Sequence, residues 1–354
     1  MVNRINHPTR REVIGLLGAS AIALASDTGL VIRTVLGDLP PDALAGGATL
    51  FHEHMSLSPD FLPKFMSLLT PRPPTAVPAP PPGQTYFLQD LDLMTDELRA
   101  AGREGVACLV DGGHPDMGRS LDFLKRLSMR SGMPIVSGAG YYSEPFYPPE
   151  IATLSEDQIA ENLIRDVGAS PYGALGEIGT WDEFTPNERK VFRAVAKTHL
   201  ATNLPIFTHT NFGKAALEQL DTFEALGVNP RRVAIGHVGG LIDPEARVHK
   251  EICKRGAFVG FDRQGGPGDS RQIPMVLALI DAGYADNLLF ASDFSSASQL
   301  KRNGGAGYAK TVTVFVPKLR EAGVAEETLH RILTDNPRRF LAFVPKQKRD
   351  PGQV

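Results

Sequence analysis

The chain predicts a single (β/α)8 barrel, a TIM-type α/β fold. Three observations carry this: short apolar runs alternate with helix-length amphipathic segments, there are eight of each, and ionisable residues gather where the runs end. Strands are expected at 48–54, 105–111, 134–141, 173–179, 204–209, 232–237, 257–262 and 287–293. Most are continuous apolar stretches flanked by Gly or Pro, as parallel strands buried on both faces require. Helices with apolar periodicity are expected at 88–104, 120–130, 158–167, 187–202, 214–226, 245–254, 273–282 and 308–322. Two helix starts carry capping boxes, Ser155 with Gln158 and Thr185 with Glu188, the second with Pro186 in its first turn. Strict alternation of this number favours a closed parallel barrel over an open doubly wound sheet. Residues 26–354 form one unit, with a C-terminal helical tail over about 324–354. One stretch breaks the rhythm: 71–83 holds seven prolines and is expected to be an extended surface loop, beside the site or inert on the rim.

The first 25 residues have the pattern of a secretory signal. Arg4, Arg10 and Arg11 precede the moderately apolar run 13–25, which ends in the small-residue sequence Ala23-Leu24-Ala25-Ser26. The adjacent arginines resemble a twin-arginine signal, which exports folded proteins, so a periplasmic or secreted location is expected, with the cytoplasm as alternative. Elsewhere the hydrophobic fraction of 42% supports a sizeable core, and the net charge of −3, without any Lys/Arg run, argues against nucleic acid as a partner. No run of 18 or more apolar residues would cross a membrane, so stable membrane insertion is not expected. Cys108 and Cys253 read as buried free thiols. The expected partner is a small-molecule substrate, and homodimer formation is left open.

The ends of the apolar runs hold the chemistry. In a (β/α)8 barrel those ends converge on one face, where residues distant in sequence meet. His52 and His54 flank Glu53, and a period of two turns both imidazoles to one side and Glu53 away. Glu177 ends the fourth run, His209 the fifth, His237 the sixth and Asp293 the eighth. Four imidazoles and two carboxylates form a nitrogen and oxygen donor set suited to Zn2+ first, with Mn2+, Co2+ or Fe2+ as alternatives, and unsuited to Ca2+. Six ligands suffice for two divalent ions. So many polar groups buried at apolar strand ends without a cation would compete with one another at high cost. Asp111 and His114, ending the second run, belong to the same mouth with either a structural or a substrate-contacting role. His199, His249 and His330 read as helix-surface residues.

The stretch Gly47-Ala48-Thr49-Leu50-Phe51-His52-Glu53-His54 resembles the opening signature of the phosphotriesterase family of the amidohydrolase superfamily. The likeness continues through Thr34-Val35-Leu36-Gly37, 137–142, Gly236-His237, Phe261-Asp262-Arg263 and 335–339, covering about residues 30–343. By position, the resemblance implies that His52, His54 and Asp293 bind a buried metal and His209 and His237 a more exposed one. Glu177 would bridge them, where many members use a carboxylated lysine. It further implies a metal-bridging hydroxide as nucleophile, with Asp293 accepting and relaying its proton. Arg263 matches an arginine typical of lactonase-like members, and Tyr142 falls where such members place a tyrosine beside the leaving oxygen. Both point to a lactone, carboxyl ester or amide substrate. One departure stands out: 238–243 lacks the shuttle aspartate that many members carry after this histidine, leaving Asp243 as a replacement or no shuttle. The alternatives are phosphotriester hydrolysis on the same site and a non-catalytic barrel that only binds a ligand.

Overall fold

A computed structural model describes residues 29–69 and 85–346. The expected leader 1–25, the proline-rich loop 71–83 and residues 347–354 of the expected tail lie outside the described residues. A hairpin that the sequence did not announce opens the fold, β1 (Ile32–Thr34) against β2 (Gly37–Leu39). Eight parallel strands follow: β3 (Ala48–Glu53), β4 (Val106–Asp111), β5 (Ile135–Ala139), β6 (Ala174–Thr180), β7 (Ile206–Thr210), β8 (Val233–Ile235), β9 (Phe258–Phe261) and β10 (Leu288–Phe290). Each pairs with the next in chain order, so the expected barrel is present. Phe51, Val110, Val136, Phe207, Phe258 and Leu289 belong to one buried cluster, and Ile32, Phe340 and Leu341 join it from the hairpin and the last helix. The barrel is therefore a packed core, in which each such side chain contributes about 1.5–3 kcal/mol by leaving water.

Both expected capping boxes form, at Ser155–Gln158 and Thr185–Glu188. The expected helix 308–322 is broken into a 3-10 turn (Gly307–Ala309), a wide π turn (Thr311–Phe315) and a short α-helix (Val316–Glu321). Pro317, without an N–H, cannot continue a regular ladder there. The expected C-terminal helical tail stops at Leu341, and Phe343 instead pairs with Val31, since this stretch closes the base of the barrel. A helix not foreseen, Phe61–Leu69, fills part of the insertion after β3. Two histidines expected on helix surfaces are buried: His199 Nδ1 lies 2.7 Å from the Leu204 carbonyl oxygen, and His249 donates through Nε2 to that of Val238 at 2.9 Å and stacks on Phe261. His330 is at the surface, facing Asp335. Cys108 and Cys253 are buried, and burial pushes both thiols up to about 12.

The last joint of the barrel lies between β10 and β3, and it closes beyond the ends of regular pairing. His54 donates its backbone N–H to Phe294 O (3.1 Å), and Asp293 donates to His52 O (3.3 Å). Glu53, turned away from the two histidines as expected, reaches across the seam. Its carboxylate accepts the backbone N–H of Ser292 and of Phe294, each at 2.7 Å, and the Ser292 hydroxyl. Burial dominates the Glu53 carboxyl and raises it to about 7, against the pull of these donors. Replacing Glu53 by Ala should leave buried N–H groups unsatisfied and lower unfolding stability by roughly 2–4 kcal/mol, measured by denaturant titration, with Glu53→Gln falling between.

Candidate metal centre

Six side chains from five strand ends meet at the C-terminal mouth of the barrel. The pairing of β3 with β4 slips between Leu50 and Glu53, so the phase of the strand changes there. Phe51 can then fill the interior while His52 rises above it, edge to face at 5.8 Å. A second slip, between Leu175 and Ile178 where β6 meets β7, carries Glu177. At the ends of β8, β9 and β10 the chain turns out through left-handed backbone at three non-glycine residues, His237 (φ 57°), Arg263 (φ 57°) and Asp293 (φ 50°). Such backbone costs of order 1–3 kcal/mol per residue and persists only where the surroundings enforce it.

Glu177 sits at the centre. Its Oε2 lies 3.0 Å from His209 Nδ1, 3.2 Å from His52 Nε2 and 3.5 Å from His237 Nε2, and its Oε1 lies 3.4 Å from His54 Nε2. Asp293 Oδ1 approaches His54 Nε2 at 3.3 Å, and its Oδ2 accepts from Arg263 Nε at 2.9 Å. All six predicted ligands are thus gathered, five fully buried and Asp293 nearly so. Gly112, at the end of β4, leaves room for them: a Cβ there would stand 3.0 Å from the His52 ring and 3.3 Å from that of His54.

Two overlapping groups, His52 with His54 and Asp293, and His52 with Glu177 and His237, bring ligand atoms within 4.8 Å of one another. Both His52 ring nitrogens and His54 Nδ1 are buried without a hydrogen bond. Of these, His52 Nε2 faces Glu177, and the nitrogen and oxygen atoms gathered around that carboxylate are a donor set that fits divalent cations of this class. The electrostatics agree. Burial opposes charge on Glu177, yet His52, His209 and His237 hold its carboxyl well below the usual range. Burial likewise opposes charge on Asp293, and His54 and Arg263 hold it down. For His54, burial alone would lower the imidazole, but Asp293 and Glu177 outweigh it and raise it to about 9. Burial, with His237 beside it, lowers His209 to about 4, keeping that ring neutral and able to coordinate.

Asp262 is the residue whose part sequence reasoning missed. It stands just past β9, within the Phe261-Asp262-Arg263 stretch. Its Oδ1 lies 2.7 Å from His237 Nδ1, and its Oδ2 lies 3.6 Å from His52 Nδ1 and accepts the His237 backbone N–H at 3.0 Å. One buried carboxylate therefore holds the His237 backbone and lies on the Nδ1 side of both histidines, with both Nε2 atoms facing Glu177, the place that outer carboxylates take beside metal-binding imidazoles. Asp243 Oδ2 accepts from Val248 N–H and faces His249. Asp111 is structural, accepting the N–H of Met55 and of Gly113. His114 is fully buried without a hydrogen bond to either ring nitrogen, and burial lowers it to about 4.

The remaining predicted residues frame the mouth. The Tyr142 hydroxyl lies 3.2 Å from the His209 ring nitrogens, and burial raises it well above its usual value. Arg263 is partly exposed and spends only Nε on Asp293. The unforeseen helix Phe61–Leu69 brings an aromatic cover: Phe61 packs on Tyr142, and Phe65 meets Trp181 at 5.3 Å and His209 at 6.4 Å.

Comparison with known proteins agrees with this geometry. The model of the Phosphotriesterase family matches residues 31–341. The phosphotriesterase homology protein of Escherichia coli (strain K12) is 34% identical over 266 residues, 72% of this chain and 88% of that protein. The N-acetyltaurine hydrolase of Homo sapiens is 27% identical over 350 residues, covering 88% of this chain and 98% of that one. The solved structure of a lactonase from Listeria monocytogenes superposes with a TM-score of 0.75 at 26% identity, over 88% of this chain and 98% of its own.

Two outcomes are expected of the centre. Asp262→Asn should weaken metal binding about 10- to 100-fold, read by competition with a chromogenic chelator, while the fold persists by circular dichroism. A cation must displace the proton that His54 holds below about 9, so metal affinity should rise as pH increases toward that value, with proton release on binding seen by calorimetry in buffers of different ionisation enthalpy.

Proposed function

This chain belongs to the phosphotriesterase family, and we propose that it hydrolyses a lactone, carboxyl ester or amide with two divalent cations that share Glu177. The observation that carries this reading is that Glu177 lies where two groups of donors sharing His52 meet, its Oε1 toward His54 and its Oε2 toward His52, His209 and His237. A carboxylate set between two groups of donors can give one oxygen to each of two cations, the place taken elsewhere in the family by a modified lysine. His52, His54 and Asp293 would hold one, and His209 and His237 the other. Zn2+ is the first choice for these donors, with Mn2+, Co2+ or Fe2+ as alternatives. When bound, the cations supply Lewis acidity and lower the pKa of water.

The side chains supply the rest. Asp293, ionised and steadied by Arg263, accepts the proton of the attacking water. The terminal N–H groups of Arg263, unspent at the mouth, are placed to hold the oxygen of a carboxyl-derived substrate. Tyr142, kept protonated by burial, donates toward the leaving oxygen or nitrogen. Phe65 and Trp181 cover the site against bulk water. The hydrolysis named for the acetyltaurine relative and for the lactonase supports a carboxyl-derived substrate over a phosphotriester. Phosphotriester hydrolysis remains the second reading, favoured by the phosphate in the active site of the solved Escherichia coli relative. Arg10 and Arg11 ahead of the apolar run 13–25 support a place of work outside the cytoplasm.

Chelation should abolish turnover, and Zn2+ or Mn2+ should restore it equally in carbon-dioxide-depleted buffer and with bicarbonate, because Glu177 needs no modification. A requirement for bicarbonate would remove Glu177 from the bridge. In a panel of lactones, aryl esters, N-acyl amides and paraoxon-like triesters, the carboxyl-derived substrates should have the higher kcat/KM, and a tenfold preference for triesters would reverse the order of the two readings.

A further inference from the structure

On the face opposite the metal centre, where β8, β9 and β10 begin, lies a cavity of about 600 Å³ lined by Arg231, Arg232, Lys254 and Arg339. Asp286 is the one acidic residue in its wall, and its carboxylate faces Arg331 at 3.4 Å. Among the described residues, no carboxylate lies within 4.0 Å of a charged nitrogen of any of the four cations. Their sequence neighbours are treated differently: Arg255 is met by Asp221 and Glu224, and Arg338 by Asp42 and Asp335. Arg232 is partly buried with its guanidinium given only to the carbonyls of Ala342 and Asn203, and burial lowers it to about 10. Arg339 likewise donates to the Asp286 carbonyl and the Asn336 side chain.

Like charges held together in one concavity repel, and a chain with a formal net charge of −3 has carboxylates enough to neutralise them. The uncompensated charge calls for an anion from outside. We propose that this basal cavity binds a small, multiply charged oxyanion of the phosphate class, either free or as the phosphate of a small monoester. Guanidinium forks and an ammonium match tetrahedral oxyanions by charge-assisted hydrogen bonds. The cavity lies at the opposite end of the strands from the candidate metal site.

The test uses the metal-loaded full chain in calorimetric titrations with inorganic phosphate and with glycerol 3-phosphate, ionic strength being held constant with sodium chloride. The comparison is with Arg231→Gln and Lys254→Gln combined, two exposed positions whose replacement leaves the core untouched. Phosphate held at the metal centre would be the same in both proteins. The component present in the wild type should weaken about tenfold or more in the double variant, while turnover stays unchanged. Tighter binding of glycerol 3-phosphate than of phosphate would identify a monoester as the occupant, and the reverse order the free anion. Identical isotherms for the wild type and the double variant would overturn the proposal.

Discussion

Everything at the mouth depends on how the barrel closes. Seven joints are made by backbone pairing between consecutive strands, but the eighth is finished by Glu53 and two backbone hydrogen bonds past the end of β10. That seam joins the strand bearing His52 and His54 to the turn bearing Asp293. A buried carboxylate that accepts backbone N–H groups is directional and costly to leave unmatched, so it sets position as well as closure. The residue between the two histidines thus acts on the far side of the strand from them, and the centre depends on both faces of β3.

The centre itself is a problem of competing charge. Four imidazoles surround one buried carboxylate, and within the same few ångströms burial, with His237, lowers His209 while Asp293 and Glu177 raise His54 against burial. The surroundings hold this arrangement at a backbone cost. His237, Arg263 and Asp293 all take left-handed conformations, and register slips fall at His52 and Glu177. Asp262 lies beside His52 and His237, so one carboxylate outside the cluster faces residues from β3 and from the end of β8. Regular strands would point these groups by simple alternation, and alternation alone does not bring six of them to one point.

Sequence periodicity determined a good deal. Eight apolar runs alternating with helices favoured a parallel barrel over an open sheet, because strands buried on both faces and returned by helices pack in few other ways. The placement of His52, His54, Glu177, His209, His237 and Asp293 at run ends made the centre legible, since the ends of such strands share one face. Capping boxes marked two helix starts, because that chemistry is local.

What only the tertiary structure decided is what depends on residues meeting across the chain. Glu53 read as a residue turned away from the site, and the use of its carboxylate emerges only where Ser292 and Phe294 arrive beside it. Asp262, Asp243 and Asp111 are three acids near strand ends with one chemistry, and contact alone makes the first a positioning group, the second a helix-side acceptor and the third a backbone clamp. His199 and His249 have the pattern of surface residues on their helices, yet both are buried, His199 against the Leu204 carbonyl just past its own helix and His249 against that of Val238 in the preceding turn. Periodicity reports which side of an element is apolar. It carries no information about partners tens or hundreds of residues away, and it is those partners that set the charge, orientation and role of a buried polar group.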